Sequence, residues 1–380
     1  MAEDESSKRR KRTTLLWKLL GATVVSLVVL QIANRPPSSV RGPLKVLTPP
    51  FTADKAMLIQ ELRDRKFQAL DAQLNSYQKG FEENVLEEGN LSIAFDAFSF
   101  TDTALAPLLE EWVKSEPDSY PAHLARAKYL LALGWQARGD NDADKTSEEQ
   151  FNEMKRLFGE SANEAVAAIK LNPKASIAYA AIIDAAKGVS DRKTMESVYA
   201  AGIRNVPLSL SIRSILMTAL RPRWGGSYDA MAKFAEDAQQ YAAQNPRLES
   251  LKGFADADKG DLALGAGDRN KAIRFYNQAL DKGGDFALAY AGRGSAYDQI
   301  NRFDDALEDL SRANRLRPQD TSTLQSLAYV YVHLNRPKDT LAVIQEYQQF
   351  AVLPSDIVTL EQWAQNFDAG SSPPVKTGGN

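Results

Sequence analysis

The sequence predicts an all-α fold, an α-α superhelix of stacked helical hairpins that is preceded by a single transmembrane helix. From Asp54 onward the apolar residues recur at helical spacing, and no alternating stretch is long enough to predict a strand. Residues 15–33 form a nearly continuous apolar run. Residues that typically end helices recur at intervals of 34 to 39 residues after a longer first interval; they are Pro117, Pro173, Pro207, Pro246, Gly284 and Pro318. This spacing predicts one superhelix through the body of the chain.

The composition limits the chemistry that is available to the chain. Its 380 residues include no cysteine, which excludes disulfides and thiolate metal sites. The two histidines, His123 and His333, lie far apart in sequence, which disfavours zinc binding and histidine-based catalysis. Residues 1–33 carry a basic surplus, so the rest of the chain is acidic, unlike a surface that binds nucleic acid. The sequence therefore predicts no cofactor, no metal and no nucleic-acid partner.

The N-terminal residues predict a membrane anchor. As a helix, the apolar residues 15–33 would span ~28 Å, close to the thickness of a bilayer's hydrocarbon core. The basic run at residues 8–12 precedes them, which predicts a cytoplasmic tail at 1–14 and a body that lies across the membrane. A cleaved signal peptide is the alternative. It is disfavoured because Gln31, rather than a small residue, occupies the −3 position of the candidate cleavage site.

The remaining chain divides into four segments by composition. Residues 34–53 contain five prolines and predict an extended linker, which would reach ~60 Å at ~3.1 Å per residue. An irregular helical region at 54–246 and a regular one at 247–366 follow. The composition of residues 367–380 predicts a disordered tail.

The regular region shows its pattern most clearly in residues 286–319. The small and aromatic positions on its two expected helices are Tyr290, Gly294, Tyr297, Ala306, Leu310 and Ala313. This pattern resembles a tetratricopeptide repeat (TPR), a helical hairpin with a period of about 34 residues. Arg293 stands where the family usually has leucine, and Leu310 replaces the usual aromatic residue. The resemblance implies TPR repeats at 247–366 and irregular TPR-like hairpins at 54–246, and it names no ligand.

Two stretches of the irregular region resemble a bacterial domain family of unknown function. They are residues 120–139 and 220–234. The family's hallmark is a Pro-x-Trp-Gly-Gly-Ser turn that leads into a helix, and the matching residues are Pro222, Trp224, Gly225, Gly226 and Ser227. The resemblance covers roughly residues 55–250. It implies a bacterial host and the same helical architecture, but no activity.

Two interpretations fit the turn at residues 221–227. A purely structural turn would use its proline and glycines for the chain reversal, Ser227 as the N-cap of the next helix, and Trp224 to fill the gap between two hairpins. Alternatively, Arg221 and Arg223 beside a helix N-terminus would hold an anion.

The insertion at residues 139–147 introduces a pattern similar to a calcium loop. Carboxylate and hydroxyl positions of such a loop are matched by Asp142, Asp144, Thr146 and Glu153, but Ser147 occupies the position that requires glycine. A simpler interpretation is a capping box formed by Thr146 and Glu149 at the start of a helix.

Two other patterns also have a structural alternative. Asp256, Asp258 and Asp261 form an acidic run that predicts a solvated helix face, with a metal site as the alternative. The glycine pairs at residues 265–267 and 292–294 resemble fragments of a dinucleotide loop. Neither follows a strand or has the third glycine, so they predict positions where helices pack closely.

In a superhelix of this kind, a partner would bind the concave face, which is built from the first helix of each hairpin. The residues expected there are Asp261, Ser295, Asp298, Gln299, Gln325, Tyr329 and His333. TPR proteins that clamp peptide carboxylates use lysine and asparagine at such positions, whereas this chain has Ala291 and Ser295. A neutral to acidic groove with tyrosine and glutamine suits an extended peptide or an amphipathic helix.

Together these patterns predict a membrane-anchored TPR scaffold that is not an enzyme. It would mediate protein–protein interaction on the periplasmic side of a bacterial inner membrane. One alternative is an envelope hydrolase, which needs two facing carboxylates, one of them with a raised pKa. Another is a structural scaffold that assembles into homo-oligomers.

Overall fold

A computed structural model describes residues 50–139 and 145–367 of the chain, and these residues form seventeen α-helices without any β-strand. The helices are α1 (Lys55–Arg63), α2 (Phe67–Glu83), α3 (Glu88–Asp96), α4 (Leu105–Ser115), α5 (Tyr120–Arg138), α6 (Glu148–Leu171), α7 (Ser176–Gly188), α8 (Arg192–Asn205), α9 (Leu210–Ala219), α10 (Tyr228–Ala238), α11 (Phe254–Gly265), α12 (Arg269–Gly283), α13 (Ala287–Asp298), α14 (Phe303–Leu316), α15 (Thr321–His333), α16 (Pro337–Gln348) and α17 (Ser355–Gln365). The all-α prediction is confirmed for this part of the chain.

The membrane prediction concerns other residues. The anchor at 15–33, the tail at 1–14, nearly all of the linker and residues 368–380 lie outside the described residues. Within the described ranges, every helix is too short or too polar to cross a membrane.

Successive helices pack as TPR-like hairpins, and their turns recur in register. Gly267, Asn301 and Asn335 stand 34 residues apart, and their φ angles are 80°, 60° and 58°. Glycine and asparagine adopt this left-handed conformation at the lowest cost, so the same turn recurs in three hairpins. Most of the predicted helix ends are also confirmed; α14, for example, stops two residues before Pro318. Pro246 differs, because it begins a 3₁₀ helix, Pro246–Gly253.

Close helix crossings explain the small residues of the regular region. The side chain of Tyr276 is fully buried, and a Cβ atom added at Gly292 would lie 2.4 Å from its Cζ atom. Only glycine therefore allows α13 to approach α12 this closely. At Gly294, an added Cβ would lie 2.8 Å from Cγ of Leu310. The predicted packing role is confirmed for the glycine pair at 292–294. It is wrong for the pair at 265–267, because a Cβ added at Gly265 would meet no atom within 4 Å and Gly267 forms a turn.

Arg293, the residue in place of the family's leucine, forms a buried polar cluster. Its Nε and Nη2 atoms donate to the two carboxylate oxygens of Asp309 at 2.6 and 2.8 Å, and its Nη1 donates to Asn277 at 2.6 Å. The two charged side chains are only 6% and 7% exposed. A bidentate pair of this kind satisfies the charge that burial would otherwise leave isolated.

The N-terminal half uses longer helices and aromatic contacts. Helices α5 and α6 have 19 and 24 residues and form the most extensive hairpin. Helix α6 begins with a capping box formed by Ser147 and Gln150, so the box predicted at Thr146 and Glu149 is wrong by one residue. The reason is local, since the Ser147 hydroxyl reaches the N3 amide of this helix. Asp142 and Asp144 of the calcium pattern lie outside the described residues, so that hypothesis stays a prediction.

The first helices of the described chain contact the segment between α14 and α15, a feature that the sequence did not predict. The backbone N–H of Lys55 donates to Oε1 of Gln319 at 3.1 Å, its Nζ donates to the carbonyl of Gln319 at 2.7 Å, and Nζ lies over the ring of Phe350. Arg317 lies 3.8 Å from the Asp96 carboxylate. We call these the closing contacts. They turn the stack of hairpins back onto its own first helices.

Candidate functional site

The residues predicted on the concave face bond to one another's helices. Tyr329 donates its hydroxyl to Asp356 at 2.5 Å, and Gln325 donates to the same carboxylate at 3.2 Å. His333 Nδ1 lies 2.7 Å from Asp298 Oδ1. These contacts join α15 to α17 and α13 to α15, so they link the first helices of consecutive hairpins.

The other predicted concave residues behave similarly but lie apart from one another. Gln299 accepts a hydrogen bond from Arg269 at 3.0 Å, and Asp261 accepts one from Tyr276 at 2.8 Å. The Ser295 hydroxyl lies 3.4 Å from that of Ser326. Six of the seven residues thus bond between hairpins, whereas Asp261 bonds within its own hairpin. The seven do not form one site, and their role in binding a partner stays a prediction.

The turn at residues 221–227 has the geometry of a structural turn. Gly225 has a φ of 81°, and the Ser227 hydroxyl accepts from the N–H of Ala230 at 3.1 Å. The ring centroid of Trp224 lies 5.9 Å from that of Trp135 on α5, and Nζ of Lys187 on α7 lies over both rings. Trp224 therefore fills a gap between hairpins, where its indole adds apolar and cation–π contacts.

The anion beside the two arginines of this turn is a side chain of the protein itself. Arg223 donates to the Asp258 carboxylate, Nε of Arg221 lies 3.4 Å from it, and Tyr228 donates its hydroxyl at 3.0 Å. Asp258 is 1% exposed. The prediction of a solvated acidic face is therefore wrong for Asp258, because the turn supplies the cations that make its burial tolerable.

The prediction of a solvated acidic face is also wrong for Asp256. It is also buried, and it accepts from Lys259 at 3.1 Å and from Lys282 at 2.5 Å. Asp261 is the exposed member of the run. In the part of the chain that the structure describes, no group of three acidic, histidine or cysteine side chains is placed to hold a metal ion.

His123 also has a structural role. Its Nδ1 lies 2.5 Å from Glu164, whose other carboxylate oxygen accepts from Arg126. The hydrogen bond to Glu164 raises the pKa of His123. These contacts join α5 to α6.

The superhelix contains a partly open cavity of about 410 Å³ that the sequence analysis missed. First helices of the N-terminal hairpins line it, as expected for a concave face, together with α3, the 3₁₀ helix Pro246–Gly253 and the start of α13. Apolar residues of its wall include Phe51, Ile93, Leu131, Ile177, Phe286 and Leu288. Charged residues of its wall are Glu88, Asp96, Lys128, Asp184, Arg247, Glu249, Asp285 and Arg317.

Most of these charges already have partners. Glu88 is buried and accepts from the Ser209 hydroxyl at 2.5 Å and from the amides of Leu210 and Ser211 at 2.7 and 3.3 Å. Burial nevertheless raises the pKa of Glu88. The carboxylate caps the N-terminus of α9, where the helix dipole favours a negative charge. Glu88 therefore fastens α3 to α9.

Asp96 is the centre of the second charged cluster. Lys128 donates to it at 2.8 Å, and Arg317 and Lys55 lie nearby. Burial alone would raise the pKa of Asp96, but these three cations outweigh it and hold the pKa at about 2. Asp96 thus belongs both to the cavity wall and to the closing contacts.

Arg247 differs from the other cavity cations. It is partly buried, its Nη1 would lie 3.1 Å from a Cβ added at Gly89, and burial lowers its pKa. Among the described residues, its guanidinium has no hydrogen bond and no ion pair.

One protein family matches the first half of the chain. A profile of the family described as "Domain of unknown function (DUF4034)" matches residues 55–198. The resemblance to a family of unknown function is thereby confirmed for those residues, while the Trp-Gly-Gly-Ser turn lies beyond the match. The TPR-like character of the chain is also confirmed.

Similarity to individual proteins is partial. The DnaJ homolog subfamily C member 7 homolog of Schizosaccharomyces pombe is 28% identical over 107 residues, which are 28% of this chain and 22% of that protein. The chain therefore matches about a fifth of that relative. Yeast Tom70 aligns with a TM-score of 0.38 and 15% identity, over 73% of this chain and 60% of Tom70. The APC/C hetero-tetramer Cut9-Hcn1 aligns with a TM-score of 0.32 and 14% identity, over 78% of this chain and 55% of the matched chain.

Proposed function

We propose that this protein is a membrane-anchored scaffold that binds a segment of another protein in the cavity of its superhelix, on the periplasmic side of a bacterial inner membrane. The observation that carries the proposal is the cavity itself. Its wall combines apolar and charged side chains on the first helices of the hairpins, where a superhelix of this kind presents a concave surface.

The cavity supports binding over hydrolysis. Glu88 and Asp96, its two best-defined carboxylates, stand eight residues apart on α3, hence ~12 Å along the helix axis at ~1.5 Å per residue. Paired-carboxylate hydrolysis uses separations of about 5–9.5 Å. The pKa of Glu88 is raised, as such a hydrolase requires of one carboxyl group, but Glu88 caps the N-terminus of α9 and Asp96 accepts a hydrogen bond from Lys128, so each carboxylate has a structural role.

The membrane part of the proposal is supported by the N-terminal sequence alone. The basic residues at 8–12 and the apolar residues at 15–33 have the order and length of a single-pass anchor with its N-terminus in the cytoplasm. Because the chain has no cysteine, single cysteines can test this directly. We expect a membrane-impermeant maleimide to label Ser197→Cys but not Ser6→Cys in cells with a permeabilised outer membrane. Labelling of Ser6→Cys alone would show the opposite topology, with the N-terminus in the periplasm and the body in the cytoplasm.

Site-specific photocrosslinking tests the binding function in the native envelope. Leu288 lines the cavity and is 41% exposed, whereas Val189 is 39% exposed and lies outside it. A photoreactive phenylalanine at position 288 of the full chain should give a discrete adduct with another protein. The same group at position 189 should not. Equal adducts at both positions, or none at 288, would refute the cavity as the binding site.

A further inference from the structure

One cation in the cavity wall, Arg247, forms no ion pair with any other described residue. Arg247 lies on the 3₁₀ helix Pro246–Gly253, and its guanidinium makes no hydrogen bond or ion pair within the described ranges. Burial lowers the pKa of Arg247, and the charges of Glu88 and Glu87 oppose this shift only in part, since neither forms an ion pair with it among the described residues. A partly buried guanidinium without a partner has lost hydration that an incoming anion would restore.

The backbone around Arg247 is fixed. Asn245 is fully buried; its side chain accepts from the N–H of Arg247 at 3.1 Å and donates to the carbonyl of Leu208 at 2.8 Å. The Ser250 hydroxyl donates to the carbonyl of Arg247 at 2.8 Å. Arg247 is therefore anchored to α9 before any ligand arrives, which lowers the entropy cost of a new ion pair.

The other cations of the wall are already committed. Lys128 donates to Asp96, and Arg317 lies within 4 Å of both Asp96 and Asp320. Five carboxylates and three cations line the cavity in total. A phosphate with two charges would meet this acidic surplus, whereas a single carboxylate fits the one guanidinium, which can bind it with two parallel hydrogen bonds.

The side chains around Arg247 indicate which groups of a ligand would lie next to its carboxylate. Phe51 lies against Gly89 beside the guanidinium, and the rings of Phe254 and Phe286 stack with centroids 4.6 Å apart. All three phenylalanines line the cavity. A ligand must therefore bury apolar groups next to its charge.

We propose that the segment bound in this cavity carries an aspartate or glutamate side chain flanked by apolar residues, and that Arg247 pairs with its carboxylate. This inference rests on the proposed binding function. The residue that would recognise the partner's carboxylate, Arg247, lies on the 3₁₀ helix Pro246–Gly253. It is not one of the first-helix residues that the sequence analysis selected.

The test is selection from a random 12-residue peptide library displayed on phage, with the full chain in detergent as bait. Selected peptides should contain an acidic residue next to apolar ones. For a synthetic copy of a selected peptide, Arg247→Gln should weaken binding by about 10- to 100-fold, and Arg247→Lys by less. Changing the peptide's acid to its amide should cause the same loss, with no further loss in the Arg247→Gln protein. The matched control is Arg204→Gln, an exposed arginine outside the cavity, which should bind as the unchanged protein does.

The outcomes separate the two proposals. If selected peptides lack acidic residues, or bind the Arg247→Gln protein unchanged, the inference is wrong and the binding function stands. If no peptide is enriched over bait-free selection, the binding function fails and the inference with it. An unchanged thermal unfolding profile of Arg247→Gln shows that a loss of binding is not a loss of fold.

Discussion

The C-terminal hairpins, α11 to α16, and the N-terminal half, α1 to α10, achieve helix stacking in different ways. The C-terminal hairpins repeat one turn and one set of small and aromatic contacts, as Gly292 and Tyr276 illustrate. The N-terminal half uses helices of unequal length and large aromatic contacts, such as the stack of Phe67 on Trp112. Regularity gives the C-terminal hairpins a predictable register, whereas irregularity gives the N-terminal half the concave wall of the cavity.

The two regions also differ in how they use buried charge. In the C-terminal hairpins, Arg293 and Asp309 neutralise each other inside one hairpin. In the N-terminal half, Glu88 and Asp96 connect elements that are far apart in sequence. Buried charge thus stabilises a single hairpin in the C-terminal region, whereas in the N-terminal half it joins different hairpins to one another.

The largest expected effect comes from breaking the Arg293–Asp309 pair. Asp309→Ala leaves a buried guanidinium without its bidentate partner and should lower the free energy of unfolding by about 3–5 kcal/mol. Replacing both residues by leucine should be nearly neutral, because no charge is left buried. The exposed pair of Arg156 and Glu153 provides the control, where Glu153→Ala should leave the free energy of unfolding nearly unchanged. Chemical denaturation of the full chain in mild detergent measures all three. A double variant as unstable as Asp309→Ala would contradict this account.

The closing contacts should give the N-terminal half a distinct sensitivity to acid. The pKa of Asp96 is depressed in the folded chain, so its stabilisation is complete above its unfolded pKa of 3.8 and is lost as the pH falls toward about 2. The loss should amount to about 2–3 kcal/mol. Unfolding measured at pH 6 and pH 2.5 should show a larger decrease for the unchanged chain than for Asp96→Asn. Equal decreases in the two proteins would mean that Asp96 is not held by these cations.

The smallest expected effects compare two helical glycines of the C-terminal hairpins, one that packs against a buried ring and one that packs against nothing. Gly292→Ala should destabilise the fold by about 1–2 kcal/mol, because its methyl group collides with the buried ring of Tyr276. Gly265→Ala meets no atom within 4 Å and should stabilise α11 by about 0.5–1 kcal/mol. Thermal unfolding of the two variants should therefore shift in opposite directions. Shifts of the same sign would show that backbone freedom, not packing, governs these positions.

Local patterns predicted the regular features because those features are local. The close packing at Gly292 and Gly294 and the helix ends before Pro117 and Pro318 follow from residues within one repeat. The N-cap at Ser227 was predicted for the same reason.

Features that join distant residues had no such signal. Lys55 and Gln319 are 264 positions apart, so nothing in either neighbourhood indicates that they meet, and the cavity that depends on this closure was missed. Asp258 resembled a solvated helix residue because its partners, Arg221 and Arg223, lie in a different element. Those two arginines in a glycine turn were the available signal, and the sequence analysis assigned them an external anion.

The bonds between Lys55 and Gln319 have a consequence for how fast a partner binds and leaves. They tie α1 to the segment between α14 and α15, beside the cavity residue Arg317. An occupant whose entry requires these two segments to separate should arrive and leave slowly, and its residence time should then depend on residues that it never touches.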